Sequence, residues 1–252
     1  MKVAFQGERG AFSEEAGRHF FGRGWEPVPC AGFEEAFRRL KRREVDRAVL
    51  PMENSLAGSV HENYDLLLRY RLPIIAETQV RIVHNLVAAP GVSFKQVRRV
   101  FSHPVALNQC LRFFRRNRRI QPVSFYDTAG SVKMLMEERL RDAAAIAPAA
   151  AAALYGARIL GRGLEDDKQN YTRFFLLART RRGKSKIKAN KTSIVFTTAN
   201  TPGALFKCLA VFSMREINLT KIESRPLRGR PWEYLFYLDF LEIGRASCRE
   251  RV

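Results

Sequence analysis

The chain has 252 residues, which fits about two domains, and 46% of them are hydrophobic, enough for buried cores. No run approaches the ~18 uncharged apolar residues of a membrane span, and the first residues begin a strand pattern rather than a signal peptide. The four cysteines are scattered, without Cys-x-x-Cys spacing or a nearby His pair. This pattern argues against zinc and disulfide frameworks and predicts a reducing, cytoplasmic setting.

The formal net charge of +19 raises the question of nucleic acid, since 44 Lys and Arg oppose 25 Asp and Glu. The basic residues mostly alternate with apolar ones, as in residues 38–43 and 112–116, which is typical of solvated helix faces. No helix-turn-helix, zinc-finger or aromatic-basic RNA-binding pattern occurs. The charge therefore favours a small anionic metabolite as the partner, with no nucleic acid and no membrane.

The N-terminal part predicts a strand at Lys2–Gln6, a glycine-bearing turn, and a helix at 14–21 with Ser13 as its N-cap. Such a strand, turn and helix N-terminus can bind an anion on backbone amides. Gly7-x-x-Gly10 is not a dinucleotide fingerprint, so a plain βα turn is the competing interpretation.

A polar segment, Glu53-Asn54-Ser55, follows a predicted strand at 47–50. Polar residues beyond the carboxyl end of a strand are where open α/β sheets bind ligands. The alternative is that Asn and Ser only cap the helix predicted at 60–69.

The middle of the chain begins with a β-rich run at 72–89, which we expect to cross between two lobes. A short strand ends at Ser102, and Pro104 opens a helix through residue 114, with Gln109 about one and a half turns inside. Ser102 and the free amides beyond it would form a second anion site. His103 is expected to be structural, because no second metal ligand is at hand.

Further strands are predicted at 120–125 and Ala143–Ala147, with a helix after each. Asp127 or Thr128 is a good N-cap for the first of these helices. Regular alternation of strand and helix predicts a mainly parallel α/β sheet system.

Residues 170–178 combine a polar tetrad, Asn170 to Arg173, with five consecutive apolar residues. The apolar run predicts a strand buried on both faces, with the tetrad at a cleft. A hydroxyl at Thr172 beside a guanidinium at Arg173 suits an anionic substrate that must lose an oxygen. The competing interpretation is that Thr favours strands and Arg often ends an edge strand.

A basic, glycine-bearing linker is predicted at 181–190, and a second unit follows it. In that unit we predict a strand at 192–198, a helix capped by Asn200 or Thr201 that ends near residue 214, a strand at 217–224 and a strand at Tyr234–Leu241. This βαββ order is the first part of a ferredoxin-like unit. Residues 243–252 do not continue it and resemble translated adapter sequence, so we expect a truncated unit with a non-native tail.

Several short motifs in a fixed order carry a family resemblance over residues 2–242. They are Pro51-Met52-Glu53-Asn54-Ser55, Ser102-His103-Pro104-x-Ala106-Leu107-x-Gln109-Cys110, Asp127-Thr128-Ala129-Gly130, Thr172-Arg173-Phe174, Thr201-Pro202-Gly203-Ala204-Leu205 and Glu223-Ser224-Arg225-Pro226. The chain resembles prephenate dehydratase with a C-terminal ACT regulatory domain. Six motifs in the family's order are far more specific than any one alone.

The resemblance implies an α/β fold with a two-lobed, periplasmic-binding-protein-like dehydratase domain and an incomplete ACT domain at 191–242. The lobes would comprise residues 1–75 plus 160–180, and 76–159. The implied reaction converts the prephenate dianion to phenylpyruvate without metal or cofactor, under feedback control by L-phenylalanine, in a homodimer or homotetramer. Arogenate dehydratase is the alternative, followed by a non-catalytic small-anion or amino-acid binding protein.

The resemblance also implies site residues. The catalytic group is Thr172, Asn54, Gln109 and Ser102, with Thr172 as the proton or hydrogen-bond donor to the leaving hydroxyl. The substrate-binding group is Arg173, Glu53, Ser55, Asp127, Thr128 and Phe174, of which Phe174 fits a core position better. The phenylalanine-binding group is Gly203, Ala204, Leu205, Asn218, Leu219, Glu223, Ser224, Arg225 and Pro226.

Overall fold

In the computed structural model, residues 1–180, 190–227 and 229–241 are described. The chain divides into two compact units between Arg181 and Arg182. Of the linker predicted at 181–190 only Asn190 lies within the described residues, and the tail predicted at 243–252 lies outside them. No helix in these described ranges is long and apolar enough to cross a membrane.

The first unit alternates strands and helices along most of its length. In chain order its elements are β1 (Lys2–Gln6), α1 (Phe12–Phe21), β2 (Glu26–Cys30), α2 (Phe33–Lys41), β3 (Arg47–Asn54), β4 (Gly58–Ser59), α3 (His61–Tyr70), β5 (Ile74–Arg81), β6 (Asn85–Ala88), a 3-10 turn (Phe94–Gln96), β7 (Arg99–Ser102), α4 (Pro104–Asn108), α5 (Leu111–Arg116), β8 (Gln121–Ser124), α6 (Thr128–Glu137), β9 (Ala143–Ala147), α7 (Ala149–Leu154), β10 (Arg158–Gly161) and β11 (Tyr171–Leu177).

These strands form two sheets, and the sheets define two lobes. The first lobe has the strand order β2-β1-β3-β11-β5, with β4 paired to β3, and the second has β10-β6-β9-β7-β8. The expectation of mainly parallel sheets is wrong. Strand β1 runs parallel to β2 and β3, but β11 runs antiparallel to both of its neighbours, and β6 runs antiparallel to β9 and β10.

The boundary predicted between the lobes at residues 75 and 76 is also wrong. Strand β5 pairs along its length with β11, so residues 74–81 belong to the first lobe. The chain crosses to the second lobe at residues 82–84 and returns after β10. The chain thus passes from the first sheet to the second within the 72–89 run, six residues later than the predicted boundary.

The strand after the polar tetrad is buried as its apolar sequence predicts. All five residues from Phe174 to Ala178 are 5% exposed or less. Phe174 packs in a cluster with Val3, Ala16 and Val49 beneath α1. Two further clusters fill the opposite faces of the second sheet, where five consecutive alanine and isoleucine residues of β9 are completely buried.

Two helix predictions need correction. Helix α1 begins at Phe12 with Ala11 as N-cap, and Ser13 lies inside its first turn, because Glu14 rather than Ser13 satisfies a free amide ahead of the helix. The helix predicted from Pro104 to residue 114 is two short helices, so Gln109 lies at the C-terminus of α4 rather than mid-helix.

The second unit contains β12 (Lys191–Thr197), α8 (Ala204–Ser213), β13 (Leu219–Pro226) and β14 (Tyr234–Leu241). Its sheet has the order β12-β14-β13, with both pairings antiparallel. The elements follow the predicted βαββ order. The N-cap of α8 is Gly203, at φ +75°, rather than Asn200 or Thr201, because the turn after Pro202 requires a left-handed backbone.

A buried carboxylate fixes the glycine turn after β1. Glu14 is 2% exposed, and its oxygens accept from the Gly10 amide at 2.7 Å, Arg9 Nε at 3.0 Å and Arg18 Nη2 at 2.9 Å. Burial by itself raises the pKa of Glu14, but these donors outweigh it and hold the pKa below its ordinary value. The neighbouring Glu15 lacks that compensation, and burial raises its pKa.

Replacing Glu14→Gln should lower the free energy of unfolding at neutral pH by about 1–3 kcal/mol, because the charge-assisted bonds are lost. Because the pKa of Glu14 is lower in the folded protein than in the unfolded one, its carboxylate stabilises the fold above the unfolded pKa, and this stabilisation is lost as the pH falls. The difference in unfolding free energy between the variant and wild type should therefore shrink below about pH 4. Urea denaturation across pH measures both. Glu15→Gln is the control and should not lower the free energy of unfolding, because burial makes the ionised form of Glu15 unfavourable in the folded protein. Equal losses of unfolding free energy in both variants would contradict this account.

Candidate functional site

Thr172 lies where β3 and β11 pair at one edge of the first sheet. The register puts Thr172 directly opposite Asn54, and Thr172 is 8% exposed. The Asn54 side-chain amide donates to Thr172 Oγ1 at 3.0 Å. The Thr172 oxygen is thus an acceptor in this bond, which leaves its own proton to be donated elsewhere.

The carboxamide of Asn54 is bound at both ends. Its Oδ1 accepts from the backbone amides of Leu56 at 3.1 Å and Ala57 at 2.8 Å, which closes an Asx turn. Its Nδ2 also donates to Asn170 Oδ1 at 2.8 Å and to the Tyr171 carbonyl at 3.1 Å. Because backbone N–H groups can only donate, they fix which end of the amide faces Thr172.

Gln109 reaches this network from the second lobe. Its Nε2 donates to Asn54 Oδ1 at 3.2 Å, and its Oε1 accepts from Asn170 Nδ2 at 2.9 Å. A second contact joins Oε1 to His84 Nε2 at 2.9 Å. Three of the predicted site residues, Thr172, Asn54 and Gln109, are therefore connected by hydrogen bonds across the two lobes.

Sequence reasoning missed two members of this network. Asn170 was recognised as polar but was given no role, and it is fully buried between Asn54 and Gln109. His84 was not singled out, although it is 2% exposed on the segment that crosses between the lobes. A signal existed, because His84 and Asn85 interrupt an otherwise β-rich apolar run.

Arg173 does not share the cleft with Thr172. Consecutive residues of a strand point to opposite faces, and the Arg173 guanidinium lies on the α3 side of the sheet. There its Nη2 is 3.0 Å from Glu53 Oε2 and 3.3 Å from Tyr64 Oη, and its Nη1 is 3.7 Å from Glu77 Oε2. The geometry does not support the predicted substrate-binding roles of Arg173 and Glu53, because each side chain is engaged by the other.

Three other predicted residues serve the fold around the cleft. Ser102 is fully buried, and its hydroxyl donates to the Ile146 carbonyl at 2.6 Å, so its position does not fit the predicted catalytic contact. Phe174 is a core residue at 2% exposed, which fits its apolar sequence context rather than a ligand contact. Ser55 donates to the Gln169 carbonyl at 2.8 Å and accepts from the Tyr171 amide at 3.0 Å, which anchors the start of β11.

Asp127 and Thr128 begin helix α6, as the sequence predicts. The Asp127 carboxylate accepts from the Gly130 amide at 2.7 Å, and burial raises the Asp127 pKa more than this bond lowers it. A Cβ on Gly7 would lie 2.8 Å from Asp127 Oδ2, so the glycine allows the first lobe to approach this carboxylate closely. Asp127 and Thr128 are not hydrogen-bonded to Thr172 or Asn54; Asp127 lies at a second contact between the lobes.

A cavity of about 350 Å³ opens beside Gln109, in the size range of small-molecule sites. It lies between the loop after β3 and helix α4. Its lining is Leu56, Ala57, Val105, Asn108, Gln109, Asp166 and Asp167. Among the residues that the structure describes, no group of three or more His, Cys, Asp or Glu is arranged to bind a metal ion.

The second unit has its own cavity, of about 290 Å³, at the start of α8. Gly203, Ala204 and Leu205 of the predicted phenylalanine-binding group line it, with Trp232 and Tyr234 opposite. The remaining members of that group lie on or next to β13 and do not line this cavity. They are Asn218, Leu219, Glu223, Ser224, Arg225 and Pro226.

Comparison with known proteins decides the family. The family model for prephenate dehydratase matches residues 3–182. The chain belongs to the prephenate dehydratase family. It is 47% identical over 249 residues to arogenate dehydratase/prephenate dehydratase 2, chloroplastic, of Arabidopsis thaliana, which covers 95% of this chain and 65% of that protein. The chain thus spans less than two thirds of the length of this curated relative.

Two solved structures are similar over 96% of the chain. Prephenate dehydratase from Arthrobacter aurescens in complex with L-Phe has a TM-score of 0.86, 32% identity and 80% of its own chain covered. GqqA, described as a novel type of quorum quenching acylase, has a TM-score of 0.85, 34% identity and 87% of its own chain covered. Both likenesses include the second unit as well as the two lobes.

The revised place of Arg173 gives a testable difference. Arg173→Met should lower the free energy of unfolding by about 1–3 kcal/mol, because it removes the ion pairs that Arg173 makes with the partly buried Glu53 and Glu77 carboxylates. Arg69→Met is the control, since its ion pair with Glu34 is more than half exposed and should contribute less than about 1 kcal/mol. Urea denaturation of both variants measures this; an Arg173 variant as stable as the control would overturn the assignment.

Proposed function

We propose that this protein is a prephenate dehydratase, acting in phenylalanine biosynthesis by converting prephenate to phenylpyruvate. One observation carries the proposal: the Thr172 hydroxyl is held by Asn54 at the edge where the two lobes meet. Family membership and the plant and bacterial relatives support the same reaction.

The proposed reaction needs little chemistry from the protein. The bond between the ring and its carboxylate breaks, and its electron pair enters the ring as carbon dioxide leaves. The ring C–O bond breaks in turn, and the oxygen leaves as hydroxide, which takes up a proton from solvent to become water. Aromatisation supplies the driving force, so the residues must orient the dianion and stabilise the departing oxygen.

Thr172 is the proposed donor to that oxygen. An alcohol is a weak acid, so its contribution is a hydrogen bond that strengthens as negative charge develops on the leaving group. The Asn54 N–H that Thr172 Oγ1 accepts polarises the hydroxyl and makes it a better donor. Asn54 and Gln109 are the proposed orienting residues, since both amides border the cleft and bind each other.

Thr172→Val should keep the fold, since both side chains are β-branched, and lower kcat roughly 100- to 1,000-fold, as the loss of one well-placed donor does. The kcat of Thr172→Ala should fall by a similar factor. Thr172→Ser should retain most of the turnover, because it keeps the hydroxyl. Phenylpyruvate formation is followed by its enol absorbance in base. An active, well-folded Thr172→Val protein would remove Thr172 from the mechanism.

Arogenate is the second candidate substrate, because it differs only in carrying an ammonium group in place of the side-chain ketone. Asp166 and Asp167 line the cavity beside Gln109, and carboxylates there favour such a cation. Several plant relatives carry the name arogenate dehydratase. Comparing kcat/KM for prephenate and arogenate in the same preparation decides between them.

Two other activities are less compatible with this geometry. A non-catalytic anion-binding protein would have no use for a hydroxyl donor positioned by Asn54. GqqA is described as an acylase. An acylase needs a base that removes the proton of its nucleophile, whereas the amide of Asn54 donates a hydrogen bond to Thr172.

We infer that the second unit is an ACT-type domain that binds L-phenylalanine and lowers activity. Its βαββ order and antiparallel sheet support a ferredoxin-like unit, and a relative similar over 96% of the chain was solved with L-Phe. The cavity beside Gly203 can take a small amino acid, because a glycine at φ +75° leaves the backbone open to a ligand carboxylate. The homodimer or homotetramer, and the cytoplasmic location, stay predictions.

Phenylalanine should inhibit turnover, and Gly203→Ala should raise the half-inhibiting concentration about tenfold, which corresponds to about 1.4 kcal/mol. Gly229→Ala is the control, since it carries a similar left-handed backbone in the same unit, at φ +81°, but does not line the cavity. Steady-state titration with phenylalanine measures both. A flat titration would refute the regulation, and equal shifts in the two variants would refute the site.

A further inference from the structure

His84 occupies a position that the predicted chemistry does not use. It lies on the segment that crosses from the first lobe to the second, and it is 2% exposed. The return loop holds its backbone on both sides: the His84 amide donates to Glu165 Oε2 at 2.9 Å, and its carbonyl accepts from the Leu164 amide at 2.8 Å. The imidazole is therefore presented to the cleft network from a fixed backbone.

Backbone geometry determines which nitrogen of His84 carries the proton. The amides of Leu56 and Ala57 can only donate, so the Asn54 atom that faces them is the oxygen. The Gln109 atom that meets this oxygen must then be its nitrogen, which turns Gln109 Oε1 towards His84. An oxygen cannot donate there, so His84 Nε2 must bear the hydrogen.

The other ring nitrogen agrees with this tautomer. In the part of the chain that the structure describes, His84 Nδ1 is buried and has no hydrogen-bond partner. The ring of Phe12 packs edge-on against the imidazole, with the centroids 5.8 Å apart. A proton on Nδ1 would leave a buried donor unsatisfied, and burial lowers the His84 pKa, against the opposing effects of Gln109 and Glu165.

We propose that His84 is a positioning residue, whose neutral Nε2–H acts together with Asn170 to hold the amide of Gln109 in place against Asn54, beside Thr172. The sequence of bonds is His84 to Gln109, Gln109 to Asn54 and Asn54 to Thr172, each donor followed by an acceptor on the next residue. Gln109 Oε1 accepts from both His84 and Asn170, so without the His84 donor only the Asn170 bond holds this end of the Gln109 amide. The Gln109 amide can then shift away from Asn54, which weakens the hydrogen bond between the lobes at the site. The inference rests on the proposed dehydratase function.

The test uses two amides that differ by one methylene. The amide nitrogen of Gln reaches the place of imidazole Nε2, whereas that of Asn reaches only the place of Nδ1. His84→Gln should therefore keep kcat within a fewfold of wild type, while His84→Asn and His84→Leu should lose roughly 100-fold, the cost of a small misplacement of the reacting groups. KM should change much less than kcat, because the lost alignment acts on the transition state.

A second measurement does not depend on turnover. Nitrogen-15 NMR of labelled histidine, with the His84 signal assigned by its absence in the Gln variant, should show a neutral ring protonated on Nε2 at pH 7. An Nδ1–H tautomer or an imidazolium would overturn the proposal. So would equal turnover in the Asn, Gln and wild-type proteins, or equal losses in all three variants with lowered thermal stability. If wild type fails to convert prephenate or arogenate, the proposed function falls, and the NMR result alone then tests the hydrogen-bond directions.

Discussion

The side-chain amide of Asn54 determines the arrangement of the candidate site. Two backbone amides hold its oxygen, so its nitrogen has to face Thr172, Asn170 and the Tyr171 carbonyl. A reversed amide would turn its own N–H groups towards these two backbone N–H donors, which makes the reversed orientation unfavourable. Strand pairing sets the distance, because β3 and β11 place Asn54 and Thr172 opposite each other. The site is therefore a product of sheet register as much as of side-chain chemistry.

The network also depends on the position of the second lobe. Gln109 is its contribution to Asn54, and a separate contact joins the lobes where Glu8 accepts from Lys133 at 3.2 Å and from Tyr126 at 3.1 Å. Close packing at Gly10, where a Cβ would lie 2.7 Å from Ala151 Cα, allows this approach. Separating the lobes would break the Gln109 bond to Asn54. The Gln109 part of the network therefore depends on the contact between the lobes, whereas the Asn54 bond to Thr172 lies within the first sheet.

Sequence reasoning was most accurate where one physical signal dominates. The all-apolar strand Ala143–Ala147 and the strand Tyr234–Leu241 were predicted with their observed bounds, since the first is a short apolar run beside a proline and the second is an aromatic and aliphatic run broken only by Asp239. It failed where side-chain direction mattered. Arg173 follows Thr172 in sequence and therefore lies on the other face, a consequence of the two-residue strand period that motif reading ignores.

Other errors came from tertiary contacts that no local pattern encodes. The hydroxyl of Ser102 is used by the Ile146 carbonyl of the neighbouring strand, 44 residues away. His84 joins the network only because the crossing segment meets α4 in space. Antiparallel β11 was missed for the same reason, since strand direction depends on which lobe the chain returns to.

Placing Arg173 outside the cleft changes how the proposed reaction must handle charge. A guanidinium held against the ring carboxylate of prephenate would stabilise the group that has to lose its charge as carbon dioxide, and so would favour the ground state. Neutral donors avoid this, because Thr172 and the amides bind oxygen without a full positive charge, and the net charge of +19 still attracts the dianion at long range. The same argument requires His84 to stay neutral. If His84 were a buried imidazolium, it would put a positive charge two hydrogen bonds from Asn54. The site would then contain a cation, although the alternation of side chains along β11 places Arg173 on the other face of the sheet.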